Sequence, residues 1–116
     1  MNNDCSLADR TCEPCRGGTP PMTAQEAETM LTELNGGWVL NEAGHLEHAF
    51  VFPNFMSALS FANRVGAVAE EAGHHPDLFV AWGKCGVEIW THKIAGLAEA
   101  DFILAAKTSR IYDTLP

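Results

Sequence analysis

The sequence contains few basic residues. Seven Lys and Arg stand against 15 Asp and Glu in 116 residues, which gives a formal net charge of −8 at pH 7. A nucleic-acid surface requires clustered Lys and Arg, and anionic membranes attract basic segments. The charge balance therefore disfavours nucleic acid and membrane surfaces as partners.

The sequence also lacks a long apolar run. Its longest uncharged stretch, residues 49–63, is interrupted by Pro53 and is shorter than the roughly 20 apolar residues of a transmembrane helix. Residues 1–20 contain no apolar segment of the kind found in secretory leaders. With 47% hydrophobic residues and the length of a single domain, the chain is expected to be a soluble cytoplasmic protein.

Residues 1–20 differ in composition from the remainder of the chain. They contain three of the four cysteines, Cys5, Cys12 and Cys15. The spacing of the last two matches half of a zinc site, but a structural zinc site needs four ligands. Cys85 or a histidine would have to complete it from a distance. We therefore expect a flexible tail with free thiols and without metal, followed by one folded domain over residues 21–116.

Capping and turn residues divide that domain into seven elements. Thr23 and Glu26 form a capping box at the start of the first helix, and Asn54 can cap the second. The predicted elements are a helix from Thr23, strands over 38–41 and 45–52, a helix over 55–72, strands over 78–82 and 87–92, and a helix over 99–112. The short turns over 42–44 and 83–86 imply antiparallel pairing. The pattern predicts an α+β fold, in which three helices pack on a four-stranded antiparallel sheet in the order α-β-β-α-β-β-α.

Two adjacent histidines, His74 and His75, precede Pro76. Proline restricts the preceding residue to extended geometry, so we expect the second helix to end here and both imidazoles to lie on a stiff corner. Histidine titrates near neutral pH, which suits it to proton transfer. The alternative interpretation is an ordinary polar loop. We expect His45 to belong to a hairpin turn and His48 to lie at the rim of the core.

The residues around this corner follow a specific spacing. In chain order they are Glu70, His74, His75, Pro76, Trp82, His92 and Asp101. This spacing, together with the segments over 82–87 and 91–97, resembles the signature of the pterin-4a-carbinolamine dehydratases over about residues 20–112. The Cys12–Cys15 segment looks like the bacterial, phenylalanine-hydroxylase-associated type.

The resemblance implies dehydration of 4a-hydroxytetrahydropterin (4a-hydroxytetrahydrobiopterin) to quinonoid dihydropterin and water. This reaction recycles the pterin that aromatic amino acid hydroxylases release, and it requires no cofactor. The implied acid and base residues are His74, His75 and His92. The implied supporting residues are Glu70, Pro76, Trp82 and Asp101. Pro76 and Trp82 would form the wall of the pterin pocket, and Asp101 would orient a histidine, with His92 as the expected partner.

The chain departs from the family pattern at two positions. Ala98 stands where Thr or Ser commonly caps the last helix, and loss of a cap costs about 1 kcal/mol. Ala100 stands where a basic residue often precedes the aspartate. A contact to substrate or to Asp101 would then be missing, and activity would be lower.

The helix over 55–72 has more apolar surface than one sheet can cover. We therefore expect a homodimer or homotetramer formed through this helix, with Phe55, Phe61, Val65 and Val68 as candidate contacts. Two other functions remain open from the sequence. One is the non-catalytic dimerisation cofactor of a transcription factor, a role of animal relatives. The other is a small Cys/His metal-binding protein.

Overall fold

The computed structural model describes residue 8, residues 20–34 and residues 36–115. The predictions for Cys5, Cys12 and Cys15 lie outside the described residues. The elements are α1 (Ala24–Leu31), β1 (Val39–Leu40), β2 (Leu46–Val51), α2 (Phe55–Ala72), β3 (Asp77–Ala81), β4 (Lys84–Ile89), a 3₁₀ turn (His92–Ile94) and α3 (Glu99–Asp113). The strands form one antiparallel sheet in the order β1-β2-β4-β3. The predicted α+β fold and its element order are confirmed.

Local signals set the ends of the first two helices. The Thr23 side chain accepts from the backbone N–H of Glu26, whose carboxylate accepts in return from the backbone N–H of Thr23. Asn54 caps α2 by accepting from the backbone N–H of Ser57 at 2.8 Å. Gly73 ends α2 with φ of +67°, a conformation that favours glycine. The predicted bounds of α2 are confirmed.

The hairpin between β3 and β4 differs from its prediction. The expected turn over 83–86 is wrong, because Ala81 pairs with Lys84 and leaves only Trp82 and Gly83 in the turn. Gly83, with φ of +74°, permits this tight connection. As a result, β4 starts at Lys84 and ends at Ile89, so the prediction of strand as far as His92 is also wrong.

The helices cover one face of the sheet. Large side chains fill the space between the layers: Phe61, Phe102, Leu46, Ile89, Leu104, Val65 and Val87, all less than 2% exposed. Two of the predicted association contacts, Phe61 and Val65, therefore belong to the core of the protomer, and their assignment to an exposed patch is wrong. On α2, Phe55 and Met56 remain exposed.

The start of α3 lacks a side-chain cap at Ala98, as the sequence indicates. The carboxylate of Asp101 replaces half of it, because Oδ2 accepts from the backbone N–H of Ala98 at 2.8 Å. The cap position is therefore held by a contact from within the helix. Within the described part of the chain, no helix is both long and apolar enough to span a bilayer.

Candidate active site

The corner after α2 places the two adjacent histidines. The backbone N–H of Gly73 donates to the carbonyl of Glu70, and that of His74 donates to the carbonyl of Ala69, so the helix ends in a Schellman motif. Pro76 follows, and β3 begins at the next residue. The two imidazoles thus project from a backbone that is fixed on both sides.

His74 lies against α3. Its Nε2 is 2.6 Å from Oδ1 of Asp101, and the two side chains are 9% and 0% exposed. The predicted partner of Asp101 was His92, and this was wrong: the first turn of α3 packs beside the end of α2, whereas His92 is exposed on the 3₁₀ turn. A carboxylate only accepts hydrogen bonds, so the contact requires a proton on Nε2 of His74.

Asp101 is held on its second oxygen as well. Oδ2 accepts from the Thr91 hydroxyl at 2.7 Å and from the backbone N–H of Ala98 at 2.8 Å. With His74, three donors thus converge on one buried carboxylate. Such an arrangement fixes both the carboxylate and the tautomer of the imidazole.

His75 and His92 have different surroundings from His74. Nε2 of His75 is 2.7 Å from Oε1 of Glu70, and these two side chains are exposed. His92 is also exposed, and its ring centroid lies 4.3 Å from that of Trp90. Both histidines can therefore exchange protons with solvent.

The three predicted catalytic histidines line one cavity of about 200 Å³. The described residues that line it are Gly73, His74, His75, Trp90, Thr91, His92 and Lys93. Enclosing pockets for drug-sized ligands have volumes of roughly 300–1,000 Å³. The smaller, open cavity suits a flat ring that is bound on one side. Proton donors and acceptors are thus grouped at a site that one small planar molecule can reach.

Two predicted site residues lie elsewhere. Trp82 occupies the β3–β4 turn, is 74% exposed and is not part of this lining. Pro76 is partly buried beside His75 and is likewise not part of the lining. The aromatic wall is formed by Trp90, which the sequence interpretation missed. In the predicted strand over 87–92, Trp90 and His92 share one face, and this was the available signal.

A larger cavity of about 780 Å³ lies at the N-terminal end of α2, between Asn54, Arg64 and Tyr112. The described residues that line it include no His, Cys, Asp or Glu. Greater volume does not make it the better candidate, because a site for proton transfer requires groups such as the histidines at the opposite end of the helix.

The remaining described histidines lie outside the cavity. His48 lies on the helix-facing side of β2, stacked on Phe50 with ring centroids 3.7 Å apart, and burial lowers its pKa below 6.5. His45 precedes β2, and its Nδ1 is 2.7 Å from Glu88. This hydrogen bond, followed by one from Asn41, lowers the pKa of Glu88. Within residues 20–34 and 36–115, no three His, Cys, Asp or Glu side chains are grouped as a metal site.

Known proteins with similar sequences share one description. The sequence profile of the family described as "Pterin 4 alpha carbinolamine dehydratase" matches residues 20–111. A protein of Rickettsia bellii, provisionally named a pterin-4-alpha-carbinolamine dehydratase, is 54% identical over 107 residues, covering 92% of this chain and 95% of the relative. A protein of Methylococcus capsulatus with the same provisional name is 50% identical over 107 residues, covering 92% and 94%.

A solved structure supports the same relationship. The crystal structure of a transcriptional coactivator/pterin dehydratase from Brucella melitensis superimposes with a TM-score of 0.73 at 29% identity, covering 78% of this chain and 97% of that one. The profile match includes every residue of the cavity described above. The chain therefore belongs to the pterin-4a-carbinolamine dehydratase family.

Proposed function

We propose that this chain is a cytoplasmic enzyme that dehydrates 4a-hydroxytetrahydropterin to quinonoid dihydropterin and water. In this role it would recycle the pterin that an aromatic amino acid hydroxylase releases as 4a-hydroxytetrahydrobiopterin. The observation that carries the proposal is the cavity lined by His74, His75 and His92, with Asp101 buried behind the first of them. Family membership supports the substrate class.

The reaction requires two proton transfers. As the C4a–O bond breaks, the leaving hydroxyl takes a proton from an acid and departs as water. The lone pair of the adjacent ring nitrogen forms the C=N bond, and a base removes the proton from that nitrogen. One proton is given and one is taken, so the protein returns to its starting state. Positioned acid and base groups of this kind contribute typically about 10²- to 10⁴-fold each.

The three histidines are suited to different parts of this exchange. Asp101 fixes the proton of His74 on Nε2, which leaves Nδ1 as the acceptor of a neutral ring. His75 and His92 are exposed, so solvent can restore their protons between turnovers. Trp90 would offer its indole to the flat pterin ring.

The test is direct measurement of dehydration by the purified chain. The substrate is generated in situ by a hydroxylase, and quinonoid dihydropterin formation is followed by absorbance against the uncatalysed rate. We expect acceleration by the native chain and a rate near background for the triple variant His74→Ala, His75→Ala, His92→Ala. A native chain that gave only the uncatalysed rate would refute the proposal.

An interaction role is the second candidate, because the solved relative from Brucella melitensis is described as a coactivator as well as a dehydratase. Such a role would use exposed surface and would not need a buried carboxylate behind a histidine. The His74–Asp101 pair therefore favours catalysis.

We propose also that the chain forms a homodimer or homotetramer through α2. The exposed Phe55 and Met56 support this, since apolar side chains grouped on a surface favour association. Light scattering at micromolar concentration should give a mass of at least twice the 12.6 kDa of one chain. The variant Met56→Glu should lower that mass, whereas Glu71→Lys near the opposite end of α2 serves as the control. A native monomer would contradict the proposal.

A further inference from the structure

The wall of the candidate cavity is supported from the side of the sheet opposite the three described helices. Trp90 follows β4 and lines the cavity together with the histidines. Its indole lies parallel to the imidazole of His45, with ring centroids 4.1 Å apart and an interplanar angle of 5°. The same indole also packs against the ring of His92, with ring centroids 4.3 Å apart. An unbroken series of rings therefore runs from His45 to a proposed catalytic residue.

The pairing of β2 with β4 explains this contact. Leu46 pairs with Ile89, and the two strands are antiparallel. The residue before Leu46, His45, therefore stands opposite the residue after Ile89, Trp90. His45 and Trp90 thus occupy neighbouring positions on the same face of the sheet. Each lies one position beyond the paired strand residues, and the carbonyl of His45 accepts from the backbone N–H of Asn41 at 2.9 Å.

A hydrogen-bond network fixes the imidazole of His45. Its Nδ1 donates to Oε2 of Glu88 at 2.7 Å, and the Asn41 side-chain amide donates to the same oxygen at 2.9 Å. Oδ1 of Asn41 accepts from the backbone N–H groups of His45 and Ala43, both at 3.0 Å. Asn41 therefore ties the turn before β2 to the side chain that holds the ring.

The reaction as proposed has no use for this network, because neither His45 nor Glu88 lines the cavity. Neither side chain can therefore act as its acid or base. What the network can do is prevent the indole of Trp90 from rotating away from the cavity. A binding wall that is held in place before substrate arrives loses less conformational entropy on binding.

We propose that His45, oriented by Glu88, is a positioning residue that holds the Trp90 indole as the flat surface on which the pterin ring binds. This inference rests on the proposed function and adds to it a determinant of substrate affinity outside the cavity. It predicts an effect on binding of the ring rather than on proton transfer.

The test is steady-state dehydration kinetics of four variants. His45→Ala removes the stacked ring and should raise KM about fivefold while kcat stays within about twofold. His45→Phe keeps a ring against Trp90 and should restore KM to within about twofold of the native value. Glu88→Gln weakens the hydrogen bond that holds the imidazole, and its KM should lie between the values for His45→Ala and His45→Phe. Glu47→Gln, a change of the carboxylate paired with Glu88 on β2, is the matched control and should leave both constants unchanged.

The outcomes separate the two proposals. If the native chain does not dehydrate the substrate, the proposed function fails and this inference fails with it. If the native chain is active and His45→Ala keeps the native KM, only the inference is wrong. A loss confined to kcat, or no recovery in His45→Phe, would also overturn it. Should His45→Ala fail to fold, Glu88→Gln decides: its KM must exceed the native value.

Discussion

His74 and His75 are adjacent in the chain and make hydrogen bonds of nearly equal length in opposite surroundings. The contact of His74 with Asp101 measures 2.6 Å between side chains that are 9% and 0% exposed. The contact of His75 with Glu70 measures 2.7 Å between side chains that are 63% and 80% exposed. By distance the two hydrogen bonds are nearly equal, but the two pairs differ greatly in burial.

The access of water determines how much each pair contributes to stability. Around the exposed pair, solvent screens the charges and replaces either partner when the contact opens, so such pairs contribute at most about 1 kcal/mol. Around the buried pair solvent has little access, because Asp101 is 0% exposed and His74 only 9%, so removal of one partner leaves polar groups without a substitute. The buried contact therefore sets the structure of the site, and the exposed one leaves His75 free to exchange protons.

The largest expected effect is that of Asp101→Ala. Three donors lose their acceptor, from His74, Thr91 and the backbone of Ala98. We expect the free energy of unfolding to fall by about 3 kcal/mol and turnover to fall about 100-fold. Urea denaturation and dehydration kinetics would measure both.

The same change at Glu70 is the matched control for stability. Glu70→Ala should lower the free energy of unfolding by no more than about 0.5 kcal/mol, because its pair is exposed. If Asp101→Ala is too unstable to assay, Asp101→Asn keeps the shape and should show the loss of turnover. Equal destabilisation by the Asp101 and Glu70 variants would contradict the comparison.

The second prediction concerns the exposed members of the site. His75→Ala and His92→Ala should each lower turnover by at least about tenfold, because each removes a group proposed to transfer protons. The thermal midpoint of unfolding should stay close to the native value, since neither side chain is buried. Dehydration kinetics with thermal unfolding as a control would test this. Native rates in both single variants and in the double variant would refute the acid/base assignment.

The contrast also explains which features the sequence could predict. The bounds of α2 follow from residues next to its ends, Asn54 and Gly73, so local chemistry is sufficient. The partner of Asp101 is 27 residues away in the chain and depends on how α3 packs beside the end of α2. Spacing grouped three histidines that line one cavity, but it could not distinguish His74 from His92 as that partner.

The aromatic wall illustrates a different limit. Trp82 carries the family spacing, whereas Trp90 lines the cavity of the protomer. Which of the two tryptophans lies near the cavity depends on the register of the β3–β4 hairpin. This register places Trp82 in a two-residue turn, and β4 then runs toward the cavity. The predicted turn over 83–86 ends three residues after the observed turn of Trp82 and Gly83, so the predicted pairing of the two strands was shifted as well.

The smallest expected effect comes from His48, an imidazole whose buried Nδ1 has no hydrogen-bond partner among the residues that the structure describes. Burial disfavours its charged form and lowers its pKa from 6.5. As the pH falls below that value, the unfolded chain takes up the proton before the folded chain does. The free energy of unfolding should therefore decrease from about pH 6.5 downward, until folded His48 is protonated as well.

Replacement of this ring by a side chain that does not titrate should remove the effect. We expect His48→Gln to show a weaker decrease in the free energy of unfolding between about pH 6.5 and pH 5 than the native chain, as measured by urea denaturation at each pH. His75→Gln, which removes an exposed imidazole, is the control. Parallel pH profiles for native and His48→Gln chains would show that protonation of this partly buried ring carries no penalty. Burial, which distinguishes His74 from His75, would then have no measurable effect on the protonation of His48.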